Sequence, residues 1–258
     1  MAPMVPEMAI PLTPGLLVMV ALTFLLAGIV KGVIGMGMPT VSLALLTATV
    51  GLQPAMALLL VPTVVTNIWQ ALVGGQLLAI IRRLWPFLLA SIVTVWPGVM
   101  VLARVDARWL AMLLGILIIT YALTNLLLAR LVLTVRHERR AGVMSGLANG
   151  LLTGMTGSSV FPGVAYLQSL GLPKESLVQS MGILFTLATL SLGLAMGGEQ
   201  LLTAPLLGLS AAALVPALLG MQLGRLLRLR LSDVVFRRLF FLGLLAMGVY
   251  LLVRSLVG

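Results

Sequence analysis

The chain has 258 residues, 61% of them hydrophobic and only 9% charged, with a mean hydropathy of +1.20. A soluble domain is closer to half apolar and a quarter charged, so water is excluded as the solvent of this fold and lipid is implied. The net charge of +10 sits in short clusters between apolar runs, which excludes a groove-lining nucleic-acid binder, and the lack of cysteine excludes disulfides, thiolate metal sites and cysteine nucleophiles.

Met1 to Pro14 carries Glu7 and no basic residue. It lacks the charged start of a cleaved signal peptide, so the apolar stretch after it is expected to stay in the mature structure. About 20 apolar residues cross a hydrocarbon core of roughly 30 Å. On that measure eight segments follow: Leu12 to Val50, Ala55 to Val73, Leu84 to Ala103, Trp109 to Ala129, Gly142 to Leu170, Leu177 to Met196, Leu201 to Leu223 and Val234 to Val253. All are expected to be helical, because open sheet edges cannot be satisfied in lipid. The predicted fold is an all-α, polytopic integral membrane protein.

The first segment holds Lys31, the one ionisable group well inside an apolar run, followed by Gly32, Gly35, Gly37, Pro39 and Thr40. Glycine weakens a helix and proline removes one of its hydrogen bonds, so a break is expected there. Such a break is tolerated at membrane depth only against protein or a wet cavity. Lys31 has two readings, a functional charge or a side chain snorkelling to an interface. The glycines likewise fit either an anion site at a helix N-terminus or tight helix packing. In the next segment Thr63, Thr66 and Asn67 fall within about one turn on one side, where they either bond a neighbouring backbone or face a cavity. Trp69, Trp85, Trp96 and Trp109 are expected to anchor at the interfaces.

The second half echoes the first. Gly28, Gly32 and Gly35 match Gly150, Gly154 and Gly157 at one offset, Gly51-Leu52-Gln53-Pro54 matches Gly171-Leu172-Pro173-Lys174, and Gly74-Gly75 matches Gly197-Gly198. Pro97 is expected near the counterpart of Pro216. The chain is thus divided into a first transmembrane repeat, 1–130, a basic linker, 131–141, and a second repeat, 142–258. Duplications of this kind are common in secondary transporters. The second break carries Thr153, Thr156, Gly157, Ser158 and Ser159, with Pro162 just beyond, and Gln179 lies in the helix that follows. Gly142 to Leu170 is long for one crossing and short for two. If it is re-entrant, twelve Lys/Arg fall on the linker's side and three (Arg104, Arg108, Arg254) on the other, with Lys31 in the membrane. That asymmetry obeys the positive-inside rule and makes the repeats inverted.

Chemistry other than transport has little to stand on. The carboxylates Glu7, Asp106, Glu138, Glu175, Glu199 and Asp233 all lie at segment ends or in connections, and the sole histidine, His137, lies in the linker. No cluster has metal-ligand spacing and no acid–base pair suggests hydrolysis, so neither metal nor cofactor is expected. The competing readings are a membrane enzyme acting on a lipid-linked substrate, which needs a catalytic carboxylate or histidine in a cavity, and a scaffold with sealed, dry breaks.

With its length, its duplicated halves, a glycine-rich break before a proline in each half (Gly32 to Pro39, Gly154 to Pro162) and the Gly-x-x-Pro-type connection after it, the sequence resembles the sulfite exporter TauE/SafE family over nearly the whole chain. The resemblance implies a bacterial inner-membrane permease for sulfite, organosulfonates or related organic acids. Gly35, Gly37, Pro39, Gly157 and Pro162 match the family's breaks, whereas Met36, Met38, Ser158 and Ser159 depart from its usual glycine run. The substrate-binding set expected from residues and resemblance together is Lys31, Gly35, Gly37, Thr40, Thr63, Asn67, Thr153, Thr156, Gly157, Ser158, Ser159 and Gln179. Pro39 and Pro162 are structural breaks, and a small anion and the lipid bilayer are the partners.

Overall fold

The computed structural model describes residues 13–127, 137–229 and 233–257; most of the linker, 131–136, and the residues before Thr13 lie outside them. Among the described residues there is no strand. The first half runs α1 (Pro14–Ile34), α2 (Met38–Val50), α3 (Leu52–Leu72), α4 (Leu77–Leu102) and α5 (Ala107–Leu127). The second runs α6 (Glu138–Thr156), a π-helical turn (Val160–Val164), α7 (Ala165–Ser169), α8 (Lys174–Gly198), α9 (Ala204–Arg228) and α10 (Asp233–Val257). Seven of these, α1, α3, α4, α5, α8, α9 and α10, are long and apolar enough to cross a membrane. The chain is a polytopic, all-α membrane protein, and the fifth expected segment, Gly142 to Leu170, is the one that holds no such span.

Both glycine-rich breaks are turns of helical hairpins. Thr13 caps α1, accepting from Leu16 N at 3.3 Å, and α1 ends on Gly35, whose left-handed φ of 85° turns its N–H onto Lys31 O at 2.8 Å. Gly37, at φ 100°, then starts α2, with Pro39 in the first turn, where a missing N–H costs nothing. The return is complete: Thr49 Oγ1 donates to Met19 Sδ at 3.5 Å. The second hairpin is built the same way. α6 stops at Gly157, φ 74°, with its N–H on Thr153 O at 2.7 Å; an extended Phe161 and a cis bond to Pro162 reverse the chain. Tyr166 Oη then donates to Glu138 O at 3.3 Å, back where α6 began.

Four helix pairs assemble the bundle: α1 with α9, α6 with α4, α3 with α8, and α5 with α10. Small residues set the first two. A Cβ on Gly28 or Gly32 would lie 2.3 Å from the carbonyl oxygen of Ala217 or Met221, and one on Gly150 or Gly154 would lie 1.9 or 2.2 Å from that of Ser91 or Val95. In lipid, where apolar burial supplies little drive, such close backbone approach is what holds helices together. Gly154 meets Gly98 and Gly32 meets Gly224, one residue after Pro97 and eight after Pro216, so the two prolines stand at different places relative to these contacts. Gly74 and Gly75 likewise form a positive-φ turn, whereas Gly197 and Gly198 stay in the longer α8.

Hydrogen bonds between helix ends define the two ends of the bundle. Arg83 pairs with Glu138 at 2.7 Å, Gln70 Nε2 donates to Val178 O, and Arg237 Nη2 donates to Asn125 Oδ1, which gathers Arg82, Arg83, Arg139, Arg140, Lys174, Arg225, Arg228, Arg237 and Arg238 at one end. At the other, Gln53 Nε2 donates to Leu102 O and Arg108 Nη2 to Leu256 O, and only Arg104, Arg108 and Arg254 are basic among the described residues. Leucines and valines of α4, α9 and α10 face outward, all four tryptophans are exposed, and the polar side chains of the interior are buried. This is the inverse of a soluble surface and suits hydrocarbon.

One interior bond repairs a break in α3. Pro62 has no N–H to give the carbonyl of Leu58, one turn back. Ser210 of α9 supplies the donor, with Oγ 2.8 Å from Leu58 O, and accepts from Val61 N at 3.1 Å. Replacing Ser210 with alanine is expected to cost about 1 kcal/mol, because a buried carbonyl loses its partner. A thermal melt of the detergent-solubilised protein checks this.

Candidate functional site

The site begins with a lysine that has no acid bonded to it among the described residues. Lys31, one turn before the end of α1, is only 4% exposed. Its ammonium donates to Thr66 Oγ1 at 3.1 Å and, at very short range, to Asn67 Oδ1, both on α3. Thr66 can accept because its own hydrogen goes to Pro62 O at 2.7 Å. Met38, the first residue of α2, closes the group, with its sulfur 3.7 Å from Thr66 Oγ1. The ion pair Arg83–Glu138 is the only salt bridge among the described residues, and it lies at the arginine-rich end. Lys31 therefore places its amine in the interior with dipoles for company and no counter-charge among the described residues, and a charge there is expensive.

The helices α2 and α3 also carry donors with no partner among the described residues. Asn67 Nδ2 and the hydroxyls of Thr63 and Thr40 are buried without a hydrogen-bond partner. Thr63 lies four residues before Asn67 and shares its face of α3, and Thr40 belongs to the first turn of α2. A fourth buried orphan, Thr47, lies two turns further along α2. Buried polar groups are nearly always paired. The Lys31 amine, the unspent amide NH₂ of Asn67 that it touches and the Thr63 hydroxyl one turn away on α3 are donors of the kind that negative charge requires.

The second hairpin is chemically different. Thr153 Oγ1 donates to Asn149 O at 2.7 Å and lies 2.9 Å from Ser159 Oγ; Thr156 Oγ1 donates to Leu152 O at 2.7 Å and accepts from Ser158 N at 3.3 Å. These hydroxyls are spent on the turn itself. Gly157 packs against the side chains of Met56 and Leu43. The offset that relates Gly28 to Gly150 relates Lys31 to Thr153, so the equivalent position in the second hairpin carries no charge.

The two breaks lie at different levels along α3. Gly157 lies beside Met56, near the start of α3, and Lys31 beside Thr66 and Asn67, near its end. Ten residues of helix are about 15 Å. The reason is the length of the hairpin arms: the 21 residues of α1 rise about 31 Å, a full crossing, so its turn reaches the far end of the bundle. Lys31 meets Asn67 and Thr66 of α3, and Met38 brings the start of α2, after Gly37, to Thr66; Thr63 stands one turn before Asn67 on α3, and Thr40 follows Pro39 in the first turn of α2. Thr153, Thr156, Gly157, Ser158, Ser159 and Pro162 form the separate turn.

The family model for the sulfite exporter TauE/SafE family matches residues 20–251, spanning both hairpins and all four helix pairs. The chain belongs to the sulfite exporter TauE/SafE family. No curated protein and no solved structure matches it. As a TauE/SafE protein it is a multi-pass membrane transport protein, and the family is one of permeases rather than enzymes.

Within the TauE/SafE fold, Gln179 bonds to neighbouring backbone. Its Nε2 donates to Ala71 O at 2.8 Å and its Oε1 accepts from Gln76 N at 3.2 Å, so it staples the α3–α4 turn to α8. Asn149, which sequence reasoning passed over, holds the second hairpin: Nδ2 donates to Ser91 Oγ at 2.9 Å, and Oδ1 accepts from Gly163 N at 3.1 Å. An asparagine beside three spaced glycines in an apolar run was the available signal.

Proposed function

We propose that this TauE/SafE protein is a permease for a small anion, sulfite, an organosulfonate or a related organic acid, held at Lys31 and moved by alternating access. The observation that carries the proposal is Lys31 itself, a buried amine with no acid bonded to it among the described residues, held against Asn67 of α3, with unspent donors on Asn67 and Thr63 of α3 and Thr40 of α2. An anion there would neutralise the ammonium and satisfy the amide and hydroxyls together, each bond strengthened by its charge. Gly35 and Gly37 contribute the turn that brings the start of α2 to this point.

The pairing of helices supports a two-repeat reading, 1–130 and 142–258, joined by the linker 131–141. Exchanging the halves turns α1–α9 into α6–α4 and returns α3–α8 and α5–α10 to themselves. Inverted repeats of this kind rock against each other around a central site. The concentration of arginine at one end supports a cytoplasmic assignment for that end, in a bacterial inner membrane. Because Lys31 has Thr153 as its counterpart, the substrate is bound mainly by the first hairpin, and the second provides packing around which it moves.

Flux from proteoliposomes tests the reading. Vesicles containing the protein are expected to lose sulfite or a small sulfonate at least tenfold faster than protein-free vesicles, in a saturable manner. Equal rates across a panel of sulfite, sulfonates and carboxylates would rule out the proposed activity.

A further inference from the structure

A cavity of about 300 Å³ opens at the arginine-rich end of the bundle. Five helices each supply one polar side chain to its wall: Asn125 from α5, Gln168 from α7, Lys174 from α8, Arg228 from α9 and Arg237 from α10. None of the lining residues is acidic. Arg237 is half-buried and doubly braced, its Nη2 3.3 Å from Asn125 Oδ1 and its guanidinium carbon 5.6 Å from the centre of the Phe241 ring. Three cations around one concave volume focus their field into it, and guanidinium groups match the paired oxygens of an oxyanion.

The floor of the cavity is apolar and belongs to the first hairpin. Val33, Ile34 and Met36 form it, with Leu177 and Val178 beside them. Met36 is fixed from above by Tyr121, whose Oη lies 3.3 Å from its sulfur. Lys31 lies two residues before Val33 on α1, buried and absent from the cavity wall.

We propose that this basic cavity is a second anion site, which takes a small, multiply charged oxyanion at the arginine-rich end and is separated from Lys31 by the Val33–Ile34–Met36 floor. Its three cations suit a dianion, whereas Lys31 alone suits a single charge. The binding claim stands on the cavity; its place as the station next to Lys31 rests on the transport reading above. The same chemistry accepts a sulfur oxyanion from solution or the phosphate of an anionic lipid headgroup.

Inorganic sulfate is the probe, titrated calorimetrically into the full-length protein in nanodiscs of phosphatidylcholine. The Lys31→Met variant is expected to keep its sulfate affinity within about twofold, and adding Lys174→Gln and Arg228→Gln to it is expected to weaken binding at least tenfold. Both added positions are exposed at helix ends, so the fold tolerates them, and an unchanged melting temperature verifies this. Displacement of sulfate by added phosphatidylglycerol would assign the site to a headgroup phosphate, and lack of displacement to the free anion; either supports an oxyanion site. Sulfate binding that is absent from Lys31→Met, or unaltered by the two glutamines, overturns the proposal. Retained sulfate binding with undiminished flux in Lys31→Met would leave the cavity standing and remove the transport reading instead.

Discussion

Replacing Lys31 with methionine is expected to lower anion flux about a hundredfold or more while leaving the protein folded and no less stable to heat. The two effects separate because the ammonium is a cost to the resting fold. It is buried, paired with dipoles and opposed by no carboxylate among the described residues. Exchanging a buried charge for an apolar side chain of similar length is often neutral or stabilising. The loss on the other side is limited, since Thr66 keeps its bond to Pro62 O and only Asn67 Oδ1 is left without a donor. For a bound anion the balance reverses. Removing the one charge that faces it would cost about 2–5 kcal/mol, by analogy with buried charge pairs at interfaces, and each 1.4 kcal/mol is a factor of ten. Paired measurements of flux and melting temperature decide the matter. A methionine variant that transports at the native rate would show that the anion passes elsewhere, and one that melts far lower would make Lys31 a structural brace. Lys31→Arg should keep part of the flux, since it preserves charge but must fit a larger planar group into an enclosed place.

What sequence made legible here follows from which interactions are local. Apolar runs, glycine–proline breaks and the sidedness of arginine are one-dimensional signals, and they located every long helix and both turns. The re-entrant reading of Gly142 to Leu170 rested on charge counting; in the structure Tyr166 reaches back to Glu138 there, and Thr49 reaches back to Met19 after the first break. Depth was not legible. A break in the middle of a long apolar run looks like a break in the middle of the membrane, yet α1 uses its full length before turning. Nor was the difference between two clusters of similar composition. Thr153, Thr156, Ser158 and Ser159 are as polar as Thr40, Thr63 and Asn67, but the former close upon one another and the latter do not. Hydroxyls within one turn satisfy each other locally, whereas those on α2 and α3 depend on tertiary placement. Lys31 shows the same limit. Its charge was conspicuous, but that no acid among the described residues bonds it is a property of the packed bundle.

Placing leucine at Gly150 is expected to abolish folding, and alanine there to lower the melting temperature by about 5–10 °C. A Cβ at this position would lie 1.9 Å from Ser91 O and 2.2 Å from Thr94 Oγ1, and the first of these is backbone that no rotamer change can clear. Relief requires moving α6 off α4, which would also stretch the bonds that cross this interface, Asn149 to Ser91 at 2.9 Å and Thr94 to Leu147 O at 2.9 Å. Overpacking typically costs 1–3 kcal/mol before such losses are added, and for a chain of this size 1 kcal/mol is about 2–4 °C. Gly28, its counterpart against Ala217 O at 2.3 Å, should respond in the same direction and less steeply. Gly208 and Gly243 are the controls: both are helical, and a Cβ on either would meet nothing within 4 Å, so alanine there should leave the melting temperature unchanged or slightly raised. Size-exclusion profiles and thermal melts of the four alanine variants give the comparison. A Gly150→Ala protein as stable as Gly208→Ala would mean that α4 and α6 are not in backbone contact, and the packing that carries both hairpins would have to be redrawn.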